Sequence, residues 1–394
     1  MKAFPAAALR AAIVSLIAAT ACVAAFAQTP IRIGFVAELS GPQAVLGQDQ
    51  YDGFMLYLEQ KGGRLGGVPI QVLREDTQLR PEVAVQVVQR LIERDGVPII
   101  TGVTFSNVMM AIHKPVTDRK VFLISSLAGP SPIAGAQCSP YQFITSFQLD
   151  VAAEAHANYA NAKGYKRVFM MAANYQAGKD FLAGFKRAFK GEVVDEVYTA
   201  MNAPDFSAEL TRVAASRPDA VFVFYPGALG INFVRQYSQM GLLKTTPLLS
   251  QGAVDGSTLP ALGEAALGAL NGAPWGPDLD NPANKRFVRD FERKYKRIPT
   301  LFAAQSYDAA QLIDSALGRV NGNVQDKEAL RQAFRAADFA SVRGGFRFGN
   351  NQFPIQDYHI QEVARDAEGR VSLKTVATPL KDFADPYAAR CPMK

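Results

Sequence analysis

The chain has 394 residues, 48% hydrophobic and 20% charged, enough to bury a large core in about two or three domains. Its formal net charge is +6, from 42 basic and 36 acidic residues. So mild an excess, with no dense Lys/Arg patch, is no footprint for a nucleic-acid partner.

At the N-terminus, Lys2 and Arg10 form a positive n-region and Ala11–Val23 an apolar h-region. Ala25-Phe26-Ala27 follows as an A-x-A cleavage site. The apolar stretch is short for a membrane anchor, and Ala19-Thr20-Ala21 before Cys22 lacks the leucine usual in lipoprotein signals. The expectation is export with cleavage after Ala27, leaving a soluble mature chain. Two of the three cysteines would then remain, Cys138 and Cys391. In an oxidising compartment a pair that can meet usually bonds, and a disulfide is expected. The alternative is two unrelated thiols.

The first element of the mature chain organises the rest. Ile31, Ile33 and Phe35 alternate as in a strand, and Ser40-Gly41-Pro42 stops the run with a turn. Tyr51, Phe54, Met55 and Leu58 then recur at i, i+3, i+4 and i+7, the stripe of an amphipathic helix. The turn Lys61-Gly62-Gly63-Arg64-Leu65-Gly66-Gly67 leads to a strand at Val68–Leu73 and a helix beginning at Pro81. Val97–Ile100 is a third strand, and Ser106-Asn107 reads as the cap of the next helix. Val121–Ile124 is a fourth, followed by the polar loop Ser125–Gly135. Repeated strand–loop–helix units imply a parallel sheet covered on both faces.

A second set starts beyond Tyr141–Gln148. Strands are expected at Val168–Met171, Asp219–Tyr225, Thr246–Ser250 and Leu267–Ala273, with helices near Lys179–Phe189, after Asp205-Phe206-Ser207 and at Leu229–Met240. Helices follow at Asn281–Tyr295, Leu301–Leu317 and Asp326–Ala336, then strand-like runs at Tyr358–Ala364 and Val371–Val376. The pattern is two α/β lobes of similar plan.

Local enzyme signatures are missing. His113, His156 and His359 are too dispersed for a metal site, and Ala177-Gly178-Lys179-Asp180 puts Asp where a phosphate loop needs Ser or Thr. No metal, cofactor or catalytic residue is assigned. What remains is a set of polar loops at strand ends, where ligands of open α/β sheets bind. Ser106 is the most informative, because a hydroxyl beside a helix N-terminus suits a carboxylate. Taken alone it is as well explained as an ordinary cap. Tyr175 and Tyr225 sit on loops that could line a cleft or pack one lobe on the other, and Phe302 alone reads as core.

The run Gly34–Gly53, the Lys61–Gly67 turn, Asp76 with Pro81, and Gly102 with Ser106 resemble the periplasmic leucine/isoleucine/valine-binding proteins. These are solute receptors of branched-chain-type ABC importers, and the similarity runs from Ile31 through at least Val320. The resemblance implies an α/β fold of two Rossmann-like lobes with parallel central sheets, joined by three crossovers. The first lobe is expected over 30–147 plus 277–351, the second over 148–276 plus 352–394. It implies a periplasmic, monomeric receptor that delivers a small carboxylate to an inner-membrane ABC permease, and no enzyme activity. It also implies that Ser106 and the backbone of Ser126, Leu127, Ala128 and Gly129 hold the ligand carboxylate, and that Phe302 touches its side chain.

Departures from the family pattern bear on the ligand. Gly129 stands where the amino-acid binders have threonine, and Leu46 where tyrosine is common. Gln251 and Gly252 fall where a glutamate pairs with the α-ammonium. Ala136-Gln137-Cys138-Ser139-Pro140 and Asn174–Asp180 look more like a subgroup that takes aromatic acids. The expected ligand is therefore a benzoate- or cinnamate-like acid without an amino group. Leu46, Phe105, Tyr175, Tyr225 and Phe302 would line its slot, since a desolvated ammonium needs a compensating charge. Asp255 or Glu38 is the route by which an ammonium could still be held. The competing readings are a branched-chain or other amino-acid receptor and, in another class, an enzyme or sensor ectodomain on the same shell.

Overall fold

The structure, a computed structural model, describes residues 29–393. The leader expected over residues 1–27 lies outside them. Among the described residues no helix is long and apolar enough to cross a membrane.

Strand β1 (Ile31–Ala37) is buried at every position but Arg32. Burial on both faces places such a run inside a parallel sheet. It is joined by β2 (Arg64–Leu65), β3 (Val68–Asp76), β4 (Ile99–Gly102), β5 (Phe122–Ser125) and β6 (Gln142–Ile144), in the order β2-β3-β1-β4-β5-β6. All the pairings are parallel except β2 on β3.

The second sheet begins with β7 (Arg167–Ala173), β8 (Glu192–Thr199), β9 (Ala220–Phe224), β10 (Leu248–Gln251) and β11 (Leu270–Ala273). Late in the chain it gains β12 (Arg347–Phe348), β13 (Pro354–Arg365) and β14 (Val371–Phe383), in the order β12-β13-β11-β10-β9-β7-β8 with β14 on β13. β7 to β11 pair in parallel, and β13 is antiparallel to β11, β12 and β14. The fold is thus α/β, with two sheets of mostly parallel strands.

The chain visits the sheets alternately. The helix Leu301–Arg319 packs on Ala44–Gln60, the helix that follows β1. Gly53 allows this contact, since a β-carbon there would lie 2.0 Å from the Ala303 carbonyl oxygen. The segments passing between the sheets are tied at one point by Arg343, buried with Asp308. Its Nε and Nη2 donate to Asp308 Oδ2, each at 3.0 Å, and its Nη1 donates to Ser146 O at 3.0 Å and Gln356 Oε1 at 2.7 Å.

β8 was not expected from the sequence. Its run Glu-Val-Val-Asp-Glu-Val-Tyr-Thr mixes charge with β-branched residues because it is a sheet edge, paired only with β7 and mostly half-buried. β6 falls in the stretch expected only as a passage between halves. The helix Leu149–Ala162 was not expected either, because its alanine-rich run is buried on most sides and shows no amphipathic stripe. The other strands and helices lie within a few residues of expectation, apart from short one-turn pieces and β14, which runs on past Val376 to Phe383.

The expected disulfide is present. Cys138 and Cys391 are bonded with Cα atoms 5.7 Å apart.

Candidate functional site

The site begins with the sharp turn after β4. Gly102 has φ +95°, where a β-carbon would sit 2.5 Å from the Val36 carbonyl, and Val103 follows at φ +60°. A β-branched residue in the left-handed region is strained and persists only where its surroundings impose it. Here the Val103 N–H donates to Val36 O at 2.6 Å and the side chain is fully buried. The turn delivers Phe105 and Ser106 to the start of the helix Ser106–Thr117. Ser106 is the first helical residue rather than the cap. Phe105 occupies the cap position and offers no side-chain acceptor, so no cap side chain takes the first-turn N–H groups.

The second sheet answers with the same device. Tyr175 and Pro226 are the cap residues of the helices Gln176–Ala188 and Gly227–Gln239, and neither makes a side-chain cap bond. The Ala177 N–H donates instead to Ser106 Oγ at 3.0 Å. Ser131 donates its hydroxyl and its N–H to Asp180, at 2.7 and 3.0 Å. Loops of the two sheets are therefore held against each other directly.

Between them lies a cavity. From the first-sheet side it is lined by Leu46, Thr104, Phe105, Ser106, Leu127 and Ala128, with Leu301 and Phe302 from the later helix. From the other side come Tyr175, Ala177, Phe181, Phe224, Pro226, Gln251, Gly252, Asp255 and Asn271. Phe147 and Leu149 cross between. Most of the residues named from sequence are thus brought together in one lining.

Ser126, Gly129 and Tyr225 are not. Ser126 is fully buried beneath the lining, with Oγ accepting from Gln50 Nε2 at 2.8 Å and its N–H donating to Gly102 O at 2.9 Å. Gly129 passes so close to the crossover that a β-carbon would meet Phe147 O at 2.1 Å, which is why threonine has no room here. Tyr225 is fully buried in the core of the second half, its ring 5.0 Å from Phe206 and 5.1 Å from Phe233, its hydroxyl bonded to Thr199 Oγ1 at 3.1 Å. The neighbouring Phe224 faces the cavity instead. Successive strand residues point to opposite sides, and the sequence reading was one residue out.

Carboxyl groups crowd this region. Burial pushes Asp255 up to about 6, against the lowering effect of its Ser257 hydrogen bonds. Burial likewise raises Asp180 to about 6 and Glu38 to about 7. Asp49 is 2% exposed. Burial raises it to about 7 although Arg297 Nη2 lies 2.6 Å away, a guanidinium that Asp49 shares with Asp52.

An acid that holds its proton more tightly when folded contributes stability that is full below the unfolded carboxylate range and lost as pH rises through the folded value. Urea unfolding should therefore show stability falling as pH rises from about 4 to about 7, the span between the unfolded and folded values of Asp49. Asp49→Asn should flatten that slope. An unchanged slope in this variant would mean that Asp49 does not carry the effect.

A periplasmic binding protein family model matches residues 30–369. The chain belongs to the periplasmic binding protein family. A Leu/Ile/Val-binding protein homolog 6 from Brucella melitensis is 28% identical over 358 residues, covering 88% of this chain and 91% of its own. Among solved structures, an R. palustris ABC-transporter solute-binding protein in complex with benzoate matches with TM-score 0.86 and 31% identity. The match covers 91% of this chain and 98% of that one. A solute-binding protein from Rhodopseudomonas palustris BisB5, in complex with 3,4-dihydroxybenzoic acid, matches with TM-score 0.84 and 28% identity over 91% and 99%. This periplasmic binding protein is accordingly an ABC-transporter solute-binding protein of the Leu/Ile/Val-binding class. Family membership implies export and work with an ABC permease.

Proposed function

We propose that this receptor binds a small aromatic carboxylate and hands it to an inner-membrane permease. The observation that carries the reading is a largely apolar cavity met by helix N-termini without side-chain caps, at Phe105, Tyr175 and Pro226. Such termini favour an anion, while Leu46, Phe224 and Phe302 offer an aromatic ring its packing. The Ser106 hydroxyl, already accepting from Ala177, keeps its own proton to donate to the ligand, and accepting strengthens that donation. In the loop after β5, the Ser126 and Ala128 N–H groups are taken by Gly102 O and Val103 O, so of the loop residues that line the cavity Leu127 is the one whose N–H is open to a ligand.

In this reading the lobes are 30–147 plus 277–351 and 148–276 plus 352–394, and the ligand shifts an open ensemble toward a closed one. The protein acts as a monomer, cleaved after Ala27 before it works in the periplasm. Asp255 in the lining favours a second reading, an amino-acid receptor whose ligand ammonium pairs with that acid.

Calorimetry decides between them. Benzoate or a hydroxybenzoate should bind at micromolar or lower Kd, with leucine far weaker. Ser106→Ala should weaken the aromatic acid by about 1–3 kcal/mol, the cost of a hydrogen bond to a charged group. Tight leucine binding with no response to aromatic acids would replace the first reading by the second.

A further inference from the structure

Behind the first cavity lies a second, of about 310 Å³. The two share a wall of Asp255, Asn271 and Leu301. Ser106, Phe105 and Leu127 line only the first cavity, so Asp255 stands at the boundary with the second and they do not.

Asp255 is 3% exposed and forms no ion pair among the described residues. Arg297, the cation that lines the second cavity, is engaged by Asp49 and Asp52. Both of the hydrogen bonds that Ser257 donates to Asp255, from its N–H at 2.8 Å and its hydroxyl at 2.6 Å, fall on Oδ1. Asn271 in the shared wall donates one amide hydrogen to Gln361 Oε1 at 3.1 Å and makes no bond to Asp255 among the described residues. The Thr258 N–H adds support to the carboxylate, and no side chain among the described residues donates to Oδ2, so a ligand donor there would add to what holds a buried charge.

We propose that Asp255 is a specificity-determining residue whose Oδ2 accepts a hydrogen bond from a hydroxyl on the ring of an aromatic acid, at the end away from its carboxylate. This rests on the aromatic-carboxylate reading and names the substituent that the site selects. An α-ammonium fits this position less well. It is one carbon from its carboxylate and so belongs beside Ser106, whereas Asp255 borders the space beyond the ring. Burial raises the pKa of Asp255 against its Ser257 and Thr258 hydrogen bonds, and one more donor would favour its charged form. The second cavity gives a ring substituent somewhere to point.

The test is the ratio of benzoate to 4-hydroxybenzoate dissociation constants, by calorimetry at pH 7.5, in the wild-type chain and in Asp255→Ala. The wild type should favour 4-hydroxybenzoate by roughly 10- to 100-fold, the range for a hydrogen bond to a charged group. In the variant the ratio should fall to near one. Asp255→Asn, closest in shape, serves if the alanine variant fails to fold, and its ratio should fall at least severalfold. A wild-type ratio near one, or a preference that survives both substitutions, overturns the role of Asp255 while leaving the aromatic-carboxylate reading standing. Binding of neither aromatic acid, with leucine bound and lost on substitution, overturns both and assigns Asp255 to an ammonium.

Discussion

Replacing Arg343 by Met should destabilise the protein by about 3–5 kcal/mol, the usual cost of removing one partner from a buried ion pair. The Arg343 and Asp308 side chains are 1% and 0% exposed, so water cannot replace what is lost. Asp308 would keep the Ser341 hydroxyl at 2.6 Å, the Val342 N–H at 3.1 Å and the Gln311 amide at 2.9 Å, but no cation. Ser146 O would lose one donor and keep the Gln356 amide at 2.9 Å. Arg343→Lys should recover only part of the loss, because an ammonium cannot reproduce a guanidinium that reaches Asp308, Ser146 and Gln356 at once. A urea midpoint unchanged in the Met variant would contradict this account. Arg343 and Ser146 lie in segments that pass between the sheets, so the same substitution should loosen the passage that the proposed lobe motion uses.

The second large effect belongs to the disulfide. Cys138 and Cys391 are 253 residues apart in sequence, so the bond closes a very long loop of the unfolded chain. Its loss through paired Cys→Ser substitutions should cost about 2–5 kcal/mol, the usual range for a native disulfide, with so long a loop pointing to the upper end. The C-terminal segment is also held without it. Tyr387 donates to Asp150 Oδ2 at 2.6 Å, Asn351 Nδ2 to Asp385 Oδ2 at 2.7 Å, and Asn350 Nδ2 to Ala388 O at 3.0 Å. These contacts should keep the variant folded, so the loss reads out as a lowered denaturation midpoint. No change in the midpoint would mean that they alone order the tail.

Much of this was legible in the chain. The alternation of β1, the glycine-rich turn before β3 and the repeated strand–loop–helix units determine the α/β class, because side-chain periodicity is local. Leu46, Phe105, Ser106, Leu127, Ala128, Tyr175, Gln251, Gly252 and Phe302 all line the cavity, since residues just past parallel strands share one end of a sheet whatever their identity. Other features depend on distance through space. Only the tertiary structure decided that Phe224 and not Tyr225 faces the cavity, because a strand's pleat turns on a single residue of register. The Phe147 carbonyl, not any local pattern, makes Gly129 a glycine. Asp255 was named from sequence as an acid that could hold an ammonium, but its burial and its lack of a paired cation among the described residues are displayed by no stretch of sequence. The Ser106–Ala177 bond joins helices that follow strands of different sheets. Local rules set where the elements begin and end, and packing between the sheets set which of their side chains meet.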